Sequence, residues 1–373
     1  MKNKFFGEMG RVVPIAMLAA LASCHKPDVP HQALRNFEQV NLVANKEKYH
    51  PKTIDPTLIN GFGMDWSPTG LAWVNSVGGH VSEIYNADGS IGRPAVKIPS
   101  PADTINGLPT GVVFSGGKGF QIPGGTATFL FSGFDGVISG WNPAANLTAK
   151  RLKNPNGAGY TGIAISRHSA QNFLYAANFA ANKIDVWDTT LSKVNMSFSD
   201  PSIPQGFSPY NIQSVGEVLF VLYAERGSSG LPVAGKGKGY VNIFSADGRL
   251  IHRLASEGPL NIPWGIAMAP AGFLQSDDLG ERDANAKYEG GQPDVFNGQV
   301  LLIGNFGDGR INVYSTEGAF LGPLSSKNKP IVIDGLWALS FPPSTASIDP
   351  KRLYFTAGPE KETDGLFGYV IKR

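Results

Sequence analysis

Two stretches of the chain decide its architecture: Ile262-Pro263-Trp264-Gly265-Ile266-Ala267 and Gly304-Asn305-Phe306-Gly307-Asp308-Gly309-Arg310-Ile311-Asn312-Val313-Tyr314. The first reads as a turn that opens into a short apolar strand. The second reads as a strand end, a glycine-rich turn and a further strand that finishes on an aromatic residue.

Working outward, the same pattern recurs. Other first strands begin at Gly63-Met64-Asp65-Trp66, Gly111-Val112-Val113-Phe114, Gly162-Ile163-Ala164-Ile165, Asn211-Ile212-Gln213 and Ala338-Leu339-Ser340-Phe341. Second strands follow, among them Leu71-Ala72-Trp73-Val74, Phe173-Leu174-Tyr175-Ala176 and Leu219-Phe220-Val221-Leu222. Third strands carry an aromatic residue near their ends, at Tyr85, Trp141, Trp187, Phe244, Tyr314 and Tyr369. Ala87-Asp88-Gly89, Ala246-Asp247-Gly248 and Thr316-Glu317-Gly318 then provide hairpin turns in which Gly accepts positive φ.

Six units of about 50 residues with about four strands each predict an all-β fold, a single six-bladed β-propeller with four-stranded blades over residues 37–373. No blade buries both of its faces alone, so the blades must close into a ring. The chain stops soon after the third strand of unit six. Phe37-Glu38-Gln39-Val40-Asn41-Leu42-Val43 is therefore expected to supply the missing outer strand and fasten the ring. The six third-strand aromatics are expected to pack between blades.

Composition agrees with this fold. Gly (46) and Pro (27) are abundant while charged residues make up 17%, which suits a chain of tight turns and buried strands. No basic tract occurs, so the electrostatic footprint of a nucleic-acid binder is missing. The 32 Lys and Arg exceed the 30 Asp and Glu only because Lys2, Lys4 and Arg11 outnumber Glu8 near the start of the chain.

Residues 1–23 read as an export signal. A basic start precedes an apolar run over 12–22 that is too short to cross a bilayer, for which about 20 residues are needed. Leu21-Ala22-Ser23-Cys24 resembles a bacterial lipobox, and Cys24 is the only cysteine in the chain. Cys24 is accordingly expected to be the acylated first residue of an exported lipoprotein, with residues 24–36 as a tether and the membrane as its partner. His25 in place of Asp after the cysteine points to the outer membrane if the host is Gram-negative. With no second cysteine there is no disulfide, and packing alone must hold the fold.

The units around Trp264 and Asn305 resemble NHL-type propeller repeats, and the chain resembles a family of uncharacterised exported bacterial six-bladed propellers. That resemblance implies a fold and no activity, since propellers host enzymes, lectins and scaffolds alike.

Two sets of residues are expected to meet at one face of the ring. The residues just before each first strand are Phe62, Thr110, Thr161, Tyr210, Trp264 and Trp337; those ending each second strand are Asn75, Ser132, Asn178, Ala224, Asn305 and Ala357. Aromatic planes beside neutral amides suit a glycan or another uncharged polar ligand, with Phe62, Tyr210, Trp264, Trp337, Asn75, Asn178 and Asn305 as the binding set. The alternative is that the aromatics pack against neighbouring blades and the amides cap backbone.

A propeller hydrolase of the gluconolactonase type would need a divalent metal in the channel held by Glu, Asn and Asp. Here Asp65 and Asn211 are the weak candidates, and no Glu stands at a first-strand start. An insertion in unit five carries Asp277, Asp278, Glu281, Asp283, Glu289 and Asp294, which could hold Ca²⁺ although the spacing is not that of an EF-hand loop. No cofactor is otherwise expected, and no Gly-x-Ser-x-Gly elbow occurs. The reading is thus a membrane-tethered, non-enzymatic module for a ligand or an envelope protein, with a metal-dependent lactonase or esterase in the central channel as the alternative.

Overall fold

The computed structural model describes residues 31–275 and 299–373, and strands dominate them. The export signal, Cys24 and the acidic residues from Asp277 to Asp294 lie outside the described residues. Six antiparallel sheets follow one another around a ring. Their inner strands are Gly61–Trp66, Pro109–Phe114, Tyr160–His168, Phe207–Val215, Pro263–Met268 and Leu336–Ser340, numbered here as blades 1 to 6.

Ring closure follows the expectation. Phe37–Ala44 pairs antiparallel with Leu366–Lys372 as the outer strand of blade 6, in a register from Phe37 opposite Lys372 to Ala44 opposite Leu366. Thr53–Ile54 then adds a short parallel strand outside it, which the sequence pattern did not reveal. A buried carboxylate fixes the closure: Asp364 takes Lys46 Nζ at 2.5 Å, Lys48 Nζ at 2.9 Å and Tyr49 Oη at 2.7 Å, all from the N-terminal segment. The packed body also reaches back into the expected tether, since His31–Leu34 forms a single 3-10 turn and Leu34 is buried with blades 5 and 6.

Between blades the core is aromatic and aliphatic. Trp73 of blade 1 stacks on Phe129 of blade 2 at 4.0 Å, and Tyr175 of blade 3 sends its hydroxyl to the Ala246 carbonyl of blade 4. Five of the third-strand aromatics are buried as expected. Tyr369 is half-buried under the Arg352 guanidinium, and Phe367 takes the interior position in its place.

One irregularity repeats in every blade. The ladder between first and second strand breaks at the start of the inner strand, at Phe62-Gly63, Thr110-Gly111, Thr161, Tyr210, Trp264 and Trp337-Ala338. A bulge turns its residue out of the ladder and bends the strand, and the four aromatic side chains among these meet one another at the ring axis. In blades 1, 2, 3 and 5 a glycine follows, because the neighbouring blade presses there. A Cβ on Gly63 would lie 2.3 Å from the Thr110 carbonyl oxygen, and one on Gly265 would lie 2.5 Å from that of Trp337.

Candidate functional site

The aromatic bulged residues close the channel at one end. Trp337 is sandwiched between Phe62 at 3.8 Å and Phe306 at 3.9 Å. Trp264 meets Phe62 edge-on at 5.1 Å, and Tyr210 reaches Trp337 from blade 4. Phe134 and Phe179 complete the cluster. Rings from blades 1, 4, 5 and 6 can touch in this way only at the axis. Trp337 donates Nε1–H to Asn60 Oδ1 at 2.8 Å, so the indole is satisfied without solvent.

This corrects the expected rim. Phe62, Tyr210, Trp264 and Trp337 are each at most 5% exposed, and their faces are occupied by one another. The amides are equally internal, for a reason that follows from the bulges. A bulge frees a carbonyl from the ladder, and a buried carbonyl needs a donor. Asn75 gives its Nδ2 to the carbonyls of Thr110 and Gly111, Thr110 Oγ1 donates to Tyr160, Asn211 Nδ2 to Trp264, and Thr356 Oγ1 to Phe62. Each of these bonds latches one blade to the next. Asn178 accepts from the backbone of Gly159 and Ala181 and donates to Asp185, while Asn305 donates to the Pro259 carbonyl and Asp308. The short polar groups that suggested a ligand are holding backbone.

Behind the plug the inner strands enclose a cavity of about 400 Å³, floored by Trp264 and reaching the opposite end of the channel. Its walls mix polar atoms with the apolar side chains of Met64, Val112, Ile163, Ile212 and Leu339. Toward the mouth stand Asp65, Gln213, Ser214, Ser340 and the exposed Lys118. Among the described residues that line it, Asp65 is the sole carboxylate.

Asp65 sits one residue from the end of its strand. Oδ1 accepts the Trp66 amide at 2.8 Å and Oδ2 the Phe114 amide of blade 2 at 2.6 Å. Burial in the channel pushes its carboxyl above the usual carboxylate range, against the pull of those two amides and the Lys118 charge. The side chains of Gln213 and Ser214 make no hydrogen bond to a described protein group, and both residues line the cavity.

The two residues considered for a metal are both at the channel, but their chemistry differs. Asn211 Nδ2 donates to the Trp264 carbonyl and Oδ1 accepts the Ile212 amide at 2.8 Å, so the amide is fixed between blades. Among the described residues no three His, Cys, Asp or Glu side chains gather as a metal set. Sequence reasoning found Asp65 and Gln213 on the first strands but missed Lys118. Its position depends on a glycine-rich hairpin, Ser115-Gly116-Gly117-Lys118-Gly119, whose path over the mouth no local pattern encodes.

No family model matches the chain. Uncharacterized protein R648 of Acanthamoeba polyphaga mimivirus is 31% identical over 369 residues, covering 93% of this chain and 83% of that protein. The chain belongs to that family. Uncharacterized protein L690 of the same virus is also 31% identical, over 364 residues covering 93% of this chain and 88% of its own length. The relatives named above are uncharacterised viral proteins, and this chain is a six-bladed propeller, as the resemblance implied. Among solved structures, a streptogramin B lyase is 11% identical with a TM-score of 0.49, covering 90% of this chain and 97% of its own. A gluconolactonase from Xanthomonas campestris is 19% identical with a TM-score of 0.33, covering 65% and 81%. Neither likeness carries an activity to this family.

Proposed function

We propose that this protein is a non-enzymatic binding module whose small ligand enters the axial channel from the end opposite the aromatic plug. The observation that carries the reading is a blind cavity with one carboxylate, Asp65, and unpaired polar groups, Gln213 and Ser214, near its mouth. A closed ring fixes these groups in advance, so little ordering entropy is lost when a ligand binds. Hydrolysis through a metal is less well supported, because a metal site needs several converging donors and the channel offers one acid.

The proposal includes export and anchoring through acylated Cys24, supported by Leu21-Ala22-Ser23-Cys24. A glycan or an envelope protein remains a partner class for the tethered module, reached through the channel mouth rather than the buried aromatics.

Elemental analysis of the purified full chain tests the choice between module and hydrolase. The module reading expects no stoichiometric Ca, Mg, Mn or Zn that depends on Asp65. A stoichiometric metal lost in Asp65→Asn would overturn it in favour of the hydrolase. Labelling of cells with a palmitate analogue tests the anchor, with incorporation expected in the wild type and none in Cys24→Ala.

A further inference from the structure

The channel holds two opposite charges that do not meet. Asp65 turns its oxygens to the amides of Trp66 and Phe114, and it forms no ion pair among the described residues. Lys118 lines the same cavity and has no ion-pair partner among the described residues, although its charge acts on Asp65. One strand positions both groups. Phe114, whose amide binds Asp65, ends the inner strand of blade 2, and the chain turns directly into the hairpin that carries Lys118.

The hairpin is fastened while the ammonium is left free. The Lys118 amide donates to the Ser115 carbonyl at 2.8 Å, and its own carbonyl accepts Asn172 Nδ2 of blade 3 at 2.9 Å. A backbone pinned on both sides with an unpaired head group over a cavity is a prepared arrangement rather than a stray surface lysine. Val112 and Ile163 add apolar side chains to the lining of the same cavity. The cavity of about 400 Å³ lies in the lower part of the range of small-molecule sites, about 300–1,000 Å³.

We infer that the ligand of this channel is a zwitterionic amino-carboxylate, an amino acid or short peptide with an apolar body. Its ammonium sits on Asp65, where the carboxylate oxygens keep lone pairs beyond the two backbone bonds. Its carboxylate meets Lys118 at the mouth, and its side chain lies against Val112 and Ile163. A ligand with one charge leaves the other protein charge unanswered, so discrimination comes from the pair. The inference rests on the channel being the binding site and goes beyond it by naming the ligand class.

Calorimetry on the full chain tests it with L-leucine, leucyl-leucine and 6-aminohexanoate as zwitterions, against 3-methylbutylamine and 4-methylpentanoate as one-charge analogues. At least one zwitterion should bind about tenfold or more tightly than either analogue. Lys118→Met should lower zwitterion affinity to that of the amine without weakening amine binding, and Asp65→Asn should remove both. Lys118 is exposed, so its variant keeps the fold even if Asp65→Asn does not. Amine binding as tight as the zwitterion's and indifferent to Lys118→Met would overturn the inference and leave the channel reading standing. Binding of none of the five overturns the inference, and binding unaffected by Asp65→Asn overturns the channel reading as well.

Discussion

Trp264 Nε1 donates its proton to the Thr161 carbonyl oxygen at 2.9 Å, joining blade 5 to blade 3 across the axis of the ring. A bond between non-adjacent blades is possible only where a side chain fills the channel. It makes the aromatic plug part of the core, and it leaves the opposite mouth as the way in.

The plug should therefore behave as core under substitution. Trp264→Ala removes a large buried ring and is expected to cost about 3–5 kcal/mol. Trp264→Phe keeps most of the ring but orphans the Thr161 carbonyl, for about 1–3 kcal/mol. Urea unfolding followed by circular dichroism measures both. A Trp264→Ala chain as stable as the wild type would mean the indole stands at an open surface.

The close approach of neighbouring blades gives a second expectation. Gly265→Ala would place a methyl group 2.5 Å from the Trp337 carbonyl and 3.0 Å from Leu339 Cγ. Backbone cannot yield as a flexible side chain does, so the loss should be at least the about 1–3 kcal/mol typical of overpacking. Denaturant midpoints of wild type and variant provide the comparison, and equal midpoints would contradict the packing described.

This glycine shows how far the sequence could be read. Gly63, Gly111, Gly162 and Gly265 mark the strand starts, and the repeat they punctuate leads to the correct number of blades and the closing strand. What they are for could not be read, because the atoms they avoid belong to the next blade. The same limit governed the site. Phe62, Tyr210, Trp264 and Trp337 were located correctly along the strands, but whether an aromatic faces solvent or the axis depends on a bulge. Asn75 and Asn211 likewise looked like ligand groups because the carbonyls they satisfy are set free only by that bulge. Lys118 was invisible, since its relation to Asp65 runs through a hairpin path rather than a spacing.

Stability should fall as pH rises through the range just below neutral. Thr57 Oγ1 lies 2.5 Å from Asp55 Oδ1 and 2.6 Å from Glu83 Oε1, so one hydroxyl proton serves two carboxyl groups and a second proton is called for. Burial pushes Glu83 up to about 7 from its ordinary 4.5. The folded state thus binds this proton more tightly than the unfolded chain. Its contribution is complete below about pH 4.5 and lost by about pH 7, amounting to about 3 kcal/mol. Urea unfolding at pH 5 and pH 8 should show that drop in the wild type and a clearly smaller one in Glu83→Gln. Equal drops would remove Glu83 as the cause.

At the acid end the ring closure is the sensitive element. Burial works to raise Asp364, but hydrogen bonds from Lys46, Lys48 and Tyr49 outweigh it and hold the carboxyl well below its ordinary 3.8. A depressed carboxyl contributes stability above its unfolded value and loses it as pH falls further. Asp364→Asn should cost about 1–3 kcal/mol at neutral pH and lessen the loss of stability below about pH 4. Unchanged acid unfolding in the variant would show that the closure lies elsewhere.

The central claim, that the channel is sealed at the aromatic end and open at the Asp65 end, is tested most directly by thiol accessibility. In a Cys24→Ser background, Ser214→Cys places the sole thiol beside the mouth and Thr161→Cys places it at the plugged end, among the buried bulged residues. A maleimide reagent applied to the native full chain should label the first readily and the second only after unfolding in urea. Labelling of native Thr161→Cys, or protection of Ser214→Cys, would contradict the account.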